Sequence, residues 1–153
     1  MFREMRRKKQ LLSEAETVAM LQACTSGVLA VQGDNGYPYA VPLSYAYEDG
    51  KLFFHFATEG HKLDSILKND KVSFCVIQKD EVIQATFTTQ CRSAIVFGRA
   101  RILTDASEKR HALECLVAKY SPDYTAQGQT EIERSWDRVS LAEVRIEKMS
   151  GKA

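Results

Sequence analysis

The short segment Gly60-His61-Lys62 combines residue types that can bind a phosphate group. Glycine lets the backbone approach a ligand closely, and histidine and lysine side chains can supply positive charge. Apolar residues at Leu63, Ile66 and Leu67 predict that a short helix begins at this segment. Free backbone N–H groups and the positive end of the helix dipole point outward at such a helix start. The segment therefore predicts an anion site.

The strand that must lie near this site is predicted from Pro38 to Tyr47, because large and small side chains alternate along it. The bulky face carries Tyr39, Val41, Leu43, Tyr45 and Tyr47, and the small face carries Pro38, Ala40, Pro42, Ser44 and Ala46. A flat group can lie against the backbone on the small face. Glu48-Asp49-Gly50 predicts a tight turn into a second strand, Leu52 to Phe56, which leads to Gly60. Together these features predict a nucleotide-like cofactor with a planar ring.

Composition favours one globular domain rather than a disordered or membrane-spanning chain. The 153 residues are 44% hydrophobic and 27% charged, with a formal net charge of +1, so overall charge gives no reason to expect a nucleic-acid partner. No apolar run reaches the ~20 residues needed to span a bilayer, and no signal-peptide core is visible. We therefore expect a cytoplasmic protein with a basic leader at 1–12, a single domain at 13–150 and a C-terminal tail at 151–153.

The cysteines and histidines predict neither a disulfide nor a structural metal. Cys24, Cys75, Cys91 and Cys115 occur singly, with no CxxC pair, and His55, His61 and His111 are not spaced as zinc ligands. The sequence also shows no Ser-His-Asp, Cys-His or paired-carboxylate arrangement.

The other elements predict an α+β domain built on an antiparallel sheet of about six strands, closed into a barrel. A capping box, Ser13 to Glu16, begins the first helix, and the Gly33-Asp34-Asn35-Gly36 segment predicts a turn. Further strands are predicted at 28–32, 71–77, 92–103 and 141–149, with a helix from Thr104 or Asp105 to Tyr120 between the last two. Residues 78–90 are either strand or packed loop, 123–130 are a polar loop, and 131–138 form one or two helical turns.

These motifs, in this order, resemble one flavoprotein superfamily over nearly the whole chain. The likeness is carried by 39–43, 52–56 and 60–62, and further by Arg6-Arg7, 92–100, 108–110, 119–122 and 150–152. The chain resembles the pyridoxamine 5′-phosphate oxidase-like flavoproteins, which share the FMN-binding split β-barrel, and is closer to their nitroimidazole-resistance branch.

The resemblance implies a homodimer that binds two FMN molecules in clefts at the subunit interface. It implies that the strand of Val41, Pro42, Leu43 and Ser44 lies along the flavin ring. It places His55, Ala57, Thr58, Gly60, His61 and Lys62 around the ribityl chain and phosphate. Ser93 would lie near the flavin, contributed by the partner subunit. Exposed apolar strand surface around Val96 and Phe97 independently favours a dimer.

The chain departs from true pyridoxamine phosphate oxidases in two respects. Those enzymes present serine, arginine and lysine to the phosphate, where this chain has Gly60, His61 and Lys62, so FMN would be held less tightly. Their C-terminal arginine and histidine, which hold the pyridoxal substrate, have no match after Trp136. The resemblance therefore favours an NAD(P)H-linked reductase of small acceptors such as nitroaromatics. A haem-binding split barrel and a non-enzymatic flavin-binding module are the alternatives.

Overall fold

The computed structural model describes residues 1–153 and contains four α-helices and seven β-strands. The helices are α1 (Glu14–Ala23), α2 (His61–Lys68), α3 (Ala106–Tyr120) and α4 (Thr125–Ser135). The strands are β1 (Gly27–Gln32), β2 (Pro38–Leu43), β3 (Ala46–Glu48), β4 (Lys51–Ala57), β5 (Lys71–Ile83), β6 (Thr88–Ile102) and β7 (Val139–Lys152).

The strands form one antiparallel sheet in the order β2-β1-β5-β6-β7-β4-β3, which confirms the predicted α+β class and split-barrel fold. The expectation that the sheet closes into a barrel is wrong, because β2 and β3 are unpaired edges. The sheet nevertheless curls, because Val41 and Leu43 of β2 pack against the same core cluster as Phe54 and Phe56 of β4. The opening of the barrel therefore lies between β2 and the β3–β4 hairpin.

The count is seven strands rather than about six because the predicted strand at 38–47 divides at Ser44 and Tyr45. The Tyr120 hydroxyl accepts a hydrogen bond from the Tyr45 backbone N–H at 2.9 Å. The same hydroxyl lies 2.7 Å from the Tyr45 carbonyl oxygen and 2.6 Å from that of Thr25. The backbone of Tyr45 is thus paired with a side chain of α3 instead of a neighbouring strand, and β2 and β3 separate to pair with β1 and β4.

The two predicted turns are confirmed, and each uses left-handed backbone. Asp49 and Gly50, with φ of 51° and 78°, join β3 to β4 as a two-residue loop. Positive φ at both positions is the geometry of the type I′ hairpin, whose twist matches that of the flanking strands. Asn35 and Gly36, with φ of 56° and 77°, turn the chain between β1 and β2.

Residues 78–90 are not a packed loop but the end of a long β5–β6 ribbon. The pairing continues from Lys79 with Arg92 to Ile83 with Thr88, beyond a register shift after Ile77. Phe87, at the turn, is 97% exposed. The ribbon therefore projects from the rest of the fold. A second register shift occurs at Gly98, where the two backbones approach closely: a Cβ atom there would lie 2.4 Å from the Arg145 carbonyl oxygen.

The C-terminal third departs from the sequence expectation in two places. The predicted polar loop at 123–130 is mostly α4, in which Ile132 is buried in a second core cluster with Leu113 and Leu116 of α3. The predicted tail is also wrong, since β7 continues to Lys152 and pairs with β6 there. Gly151 is buried, and a Cβ atom on it would lie 2.4 Å from the Thr17 hydroxyl oxygen of α1.

The N-terminal leader lies along this last strand. The Leu12 N–H donates to the Gly151 carbonyl at 2.9 Å, and the Ala153 N–H donates to the Gln10 carbonyl at 3.0 Å. The ring of Phe2 stacks on Phe97 of β6, with centroids 5.2 Å apart. None of the helices has the length and apolar composition needed to cross a membrane.

Candidate functional site

The N-terminus of α2 has the features of an anion site. Gly60 is the N-cap residue and has φ of 140° and ψ of 175°, a conformation that is essentially restricted to glycine. No side chain caps the helix, and the first hydrogen bond of the helix runs from the Asp64 N–H to the Gly60 carbonyl. The backbone N–H groups of residues 61–63 consequently have no protein partner. Such free donors at the positive end of a helix favour a bound anion.

The two cationic candidates at this helix start differ in their surroundings. The His61 ring stacks on Tyr39 of β2 with centroids 4.1 Å apart, and its Nε2 lies 3.8 Å from a carboxylate oxygen of Asp34. Lys62 is half-buried and makes neither an ion pair nor a side-chain hydrogen bond. The ammonium group of Lys62 is therefore the charge available to a ligand, whereas His61 is already held by its neighbours.

Strand β2 brings its small-residue face to the outside of the sheet, as the alternation predicts. Ala40 and Pro42 are exposed, while Val41 and Leu43 are half-buried and point toward the core. β2 pairs on only one side, with β1, so its other edge faces the opening of the barrel. The contact between Tyr39 and His61 fixes one end of this edge beside the anion site.

The far end of β2 opens onto a cavity of about 370 Å³. Ser44, just after the strand, and His55 of β4 both line it. The remaining wall is largely apolar and comes from β7 and the two C-terminal helices: Leu113, Leu116, Val117, Ile132 and Val139. His55 points to this side because side chains alternate along β4, with Phe54 and Phe56 in the main core.

The remaining candidates lie apart from these two places. Ala57 and Thr58 are exposed on the segment that joins β4 to α2. Ser93 of β6 lies in a separate groove with Arg3, Met5 and Lys148, and shares no cavity with the other candidates in its own chain. The chain therefore groups Val41, Pro42 and Leu43 with Gly60, His61 and Lys62 along the barrel opening. Ser44 and His55 lie at the end of this opening, and Ser93 lies elsewhere.

Comparison with known proteins identifies the family. The profile described as "Pyridoxamine 5′-phosphate oxidase" matches residues 13–153. The chain belongs to the pyridoxamine 5′-phosphate oxidase family. No curated protein matches it.

Solved structures of this family's fold are similar along nearly the whole chain. A putative 5-nitroimidazole antibiotic resistance protein from Bacteroides thetaiotaomicron is 21% identical, with a TM-score of 0.75, covering 93% of this chain and 85% of the other. An FAD-binding protein from Mesorhizobium loti is 29% identical, with a TM-score of 0.65 and 93% coverage of both chains. An FAD- and haem-binding protein from Mycobacterium smegmatis is 21% identical, with a TM-score of 0.80, covering 94% and 72%.

The residues of this family member fit the phosphate end of a flavin. The free N–H groups at the start of α2 and the unpaired ammonium of Lys62 are donors without acceptors, as a phosphate site requires. A Cβ atom on Gly60 would meet nothing within 4 Å, so the space in front of the helix is open. The small residues of β2 leave room for a flat ring along the same opening.

Sequence reasoning missed one cluster of reactive side chains. Glu48, at the end of β3, meets His111 and Cys115 of α3, and the ligand atoms of all three lie within 4.8 Å of one another. The local signal is the four-residue spacing of His111 and Cys115, which puts both on one helix face. Glu48 is 63 residues from His111, and only the packing of the β3–β4 hairpin against α3 brings it there.

Proposed function

We propose that this family member is an FMN-dependent reductase that takes hydride from NAD(P)H and reduces small acceptors such as nitroaromatics. The observation that carries the proposal is the uncapped start of α2 with its unpaired Lys62, on a chain whose family and fold neighbours include flavin-binding proteins. The four cysteines are all free, which supports a cytoplasmic location.

Each group along the opening has a separate task in this proposal. The amides of His61, Lys62 and Leu63 and the Lys62 ammonium hold the phosphate, while Tyr39 and Asp34 keep the His61 ring at the edge of that site. The backbone of 41–44 supports the flavin ring, because its outward side chains are small. The bound flavin supplies the electron chemistry, which is why no catalytic triad is needed.

The cavity beside Ser44 and His55 suits the acceptor. Its volume of about 370 Å³ lies within the range of small-molecule sites, and its mainly apolar wall with a few polar groups suits a nitroaromatic ring. The test is anaerobic mixing of the flavin-loaded protein with NADH or NADPH, followed by a nitroaromatic or quinone acceptor. Loss and recovery of flavin absorbance with acceptor reduction supports the reductase. A flavin that no nicotinamide donor reduces would favour the non-enzymatic binding module.

A second copy of the chain would complete the site. The outer face of the sheet carries exposed apolar side chains, with Val28, Cys75 and Ile95 aligned across three neighbouring strands. The prediction of exposed apolar surface around Val96 and Phe97 is half correct, because Phe97 is exposed but Val96 is fully buried. We infer that this face pairs with its copy and that Ser93 then reaches the partner's flavin. Light scattering at micromolar concentration should give the dimer mass, and a monomer mass would refute the interfacial site.

Haem is the second candidate because His55 alone among the histidines faces an apolar cavity. His61 is held by Tyr39 and Asp34, and His111 is bound to Glu48. The absorption spectrum of the purified protein separates the two functions: flavin bands support the reductase, and a Soret band supports haem. Chromatography of the released cofactor then distinguishes FMN from FAD.

A further inference from the structure

Three side chains of types that bind zinc meet where the β3–β4 hairpin packs against α3. His111 Nε2 lies 2.5 Å from Glu48 Oε1, and Cys115 Sγ lies 3.1 Å from Glu48 Oε2. Cys115 Sγ lies 3.5 Å from His111 Nε2. One imidazole nitrogen, one thiol sulfur and a carboxylate that contacts each of them through a different oxygen therefore form one cluster, with ligand atoms within 4.8 Å of one another, although the chain spacing predicts no metal site.

The distance between the Cys115 sulfur and the His111 nitrogen is that expected of two ligands in a tetrahedral zinc site. With Zn–S of about 2.3 Å and Zn–N of about 2.05 Å, a tetrahedral angle separates sulfur and nitrogen by about 3.6 Å. The observed 3.5 Å matches without movement of α3. The Glu48 carboxylate contacts His111 and Cys115 through different oxygens, at hydrogen-bond distances, so it must turn and move back for one oxygen to become a ligand. Glu48 is exposed and ends a strand next to a tight turn, so this shift needs only a side-chain rotation.

The two helical ligands are held in place before any metal arrives. His111 and Cys115 are four residues apart on one face of α3, the spacing at which two helical side chains can share a metal. The edge of the Phe53 ring packs against the His111 ring with centroids 6.2 Å apart. Cys115 packs against the second core cluster. Only Glu48 must adjust on binding.

A catalytic thiol is the competing interpretation of a Cys-His-Glu cluster, and electrostatics argue against it. The Cys115 thiol donates a hydrogen bond to the Glu48 carboxylate at 3.1 Å, so the neighbouring group stabilises the protonated sulfur rather than a nucleophilic thiolate. A divalent cation reverses this effect, because it stabilises the thiolate and takes the place of the proton between sulfur and carboxylate.

We propose that Glu48, His111 and Cys115 bind one Zn²⁺ ion, with water in the fourth position, and that the ion fastens the β3–β4 hairpin to α3. Binding converts the Cys115 thiol to a thiolate and releases its proton, with no change of oxidation state. The thiolate and carboxylate neutralise the ion, so no net charge remains beside the core. The mixed sulfur, nitrogen and oxygen set suits Zn²⁺ rather than Mg²⁺ or Ca²⁺, which take oxygen ligands. Two further charges act on these ligands: the positive charge of Lys51 on Glu48, and the negative charge of Glu114 on Cys115.

The test uses the full chain, stripped with a chelator and then titrated with Zn²⁺ against a chromophoric competitor. We expect one tight site per chain, and an affinity that rises about tenfold per pH unit near neutrality because the thiol proton is released. Co²⁺ in place of Zn²⁺ should give a thiolate-to-metal charge-transfer band in the difference spectrum. Zn²⁺ should also raise the midpoint of thermal unfolding.

The variants Cys115→Ser and His111→Gln should each weaken Zn²⁺ binding by about a hundredfold or more, and Cys115→Ser should remove the charge-transfer band. Cys91→Ser, which changes an exposed cysteine of the β5–β6 ribbon, is the matched control and should leave both unchanged. Binding no tighter than that of the Cys115→Ser variant, or a charge-transfer band that survives this substitution, would overturn the proposal. The Co²⁺ spectrum of the unmodified chain decides the matter even if a variant does not fold.

Discussion

Lys62→Ala should show whether this residue binds the phosphate or another part of the flavin. The Lys62 ammonium has no partner in the protein, so a bound phosphate gains its full charge-assisted hydrogen bond. Such a bond contributes about 1.5–3 kcal/mol, which corresponds to a loss of FMN affinity of roughly tenfold to a hundredfold. Riboflavin, which lacks the phosphate, should bind the original chain far less tightly and should be almost unaffected by the substitution. The measurement is a fluorescence titration with both flavins.

The same substitution should not weaken the folded protein. A lysine in the first turn of a helix repels the positive end of the dipole, an unfavourable effect of about 0.3–1 kcal/mol. Removing Lys62 should therefore leave the free energy of unfolding of the flavin-free chain unchanged or slightly raised. Lys68→Ala, at the other end of α2, is the matched control and should retain FMN affinity. Equal loss of FMN and riboflavin affinity in Lys62→Ala would refute the assignment of the phosphate to this helix.

Three further substitutions test the framework around the site by urea unfolding. Gly60→Ala should cost about 1–3 kcal/mol from backbone strain at φ of 140°, since no atom lies within 4 Å to clash; an unchanged midpoint would contradict that conformation. Arg101→Met should cost about 2–3 kcal/mol, because the buried Glu143 carboxylate, 4% exposed, loses two hydrogen bonds from the Arg101 guanidinium, which is 48% exposed. Adding Glu143→Leu should restore most of this loss. Tyr120→Phe should cost about 1–2 kcal/mol by leaving the Tyr45 backbone without its partner, and a smaller loss would mean that water replaces the hydroxyl.

Features set by neighbouring residues could be predicted from the sequence. The capping box of α1 is present, with the Glu16 N–H donating to the Ser13 hydroxyl and the Glu16 carboxylate accepting from the Ser13 N–H. The Asp49-Gly50 turn and the start of α2 after Gly60 are likewise where the local signals predict them. Each depends on the conformations open to a few adjacent residues, so no knowledge of distant contacts is needed.

Features set by distant residues could not be predicted. Helix α4 was hidden by its polar composition and by Gly128, a residue that usually interrupts helices. The reason for this glycine is tertiary, because a Cβ atom there would lie 2.5 Å from Val117 of α3. The division between β2 and β3 likewise depends on the Tyr120 hydroxyl, 75 residues away. In both places a contact between elements outweighs the local preference.

In the candidate flavin site, too, one part is set by neighbouring residues and the other by distant contacts. Its phosphate end is one continuous segment, 60–62, whose glycine, charge and helix start are all visible in the sequence. Its ring end requires the edge of β2 to face the opening of the barrel. This depends on β2 and β3 being the unpaired edges at opposite ends of the sheet. Ser93 lies in a different groove of its own chain, so the proposed contact of Ser93 with a flavin requires a second copy of the chain. The dimer mass therefore tests the ring end of the site with Ser93, and the Lys62→Ala titration tests the phosphate end. Either assignment can be refuted without refuting the other.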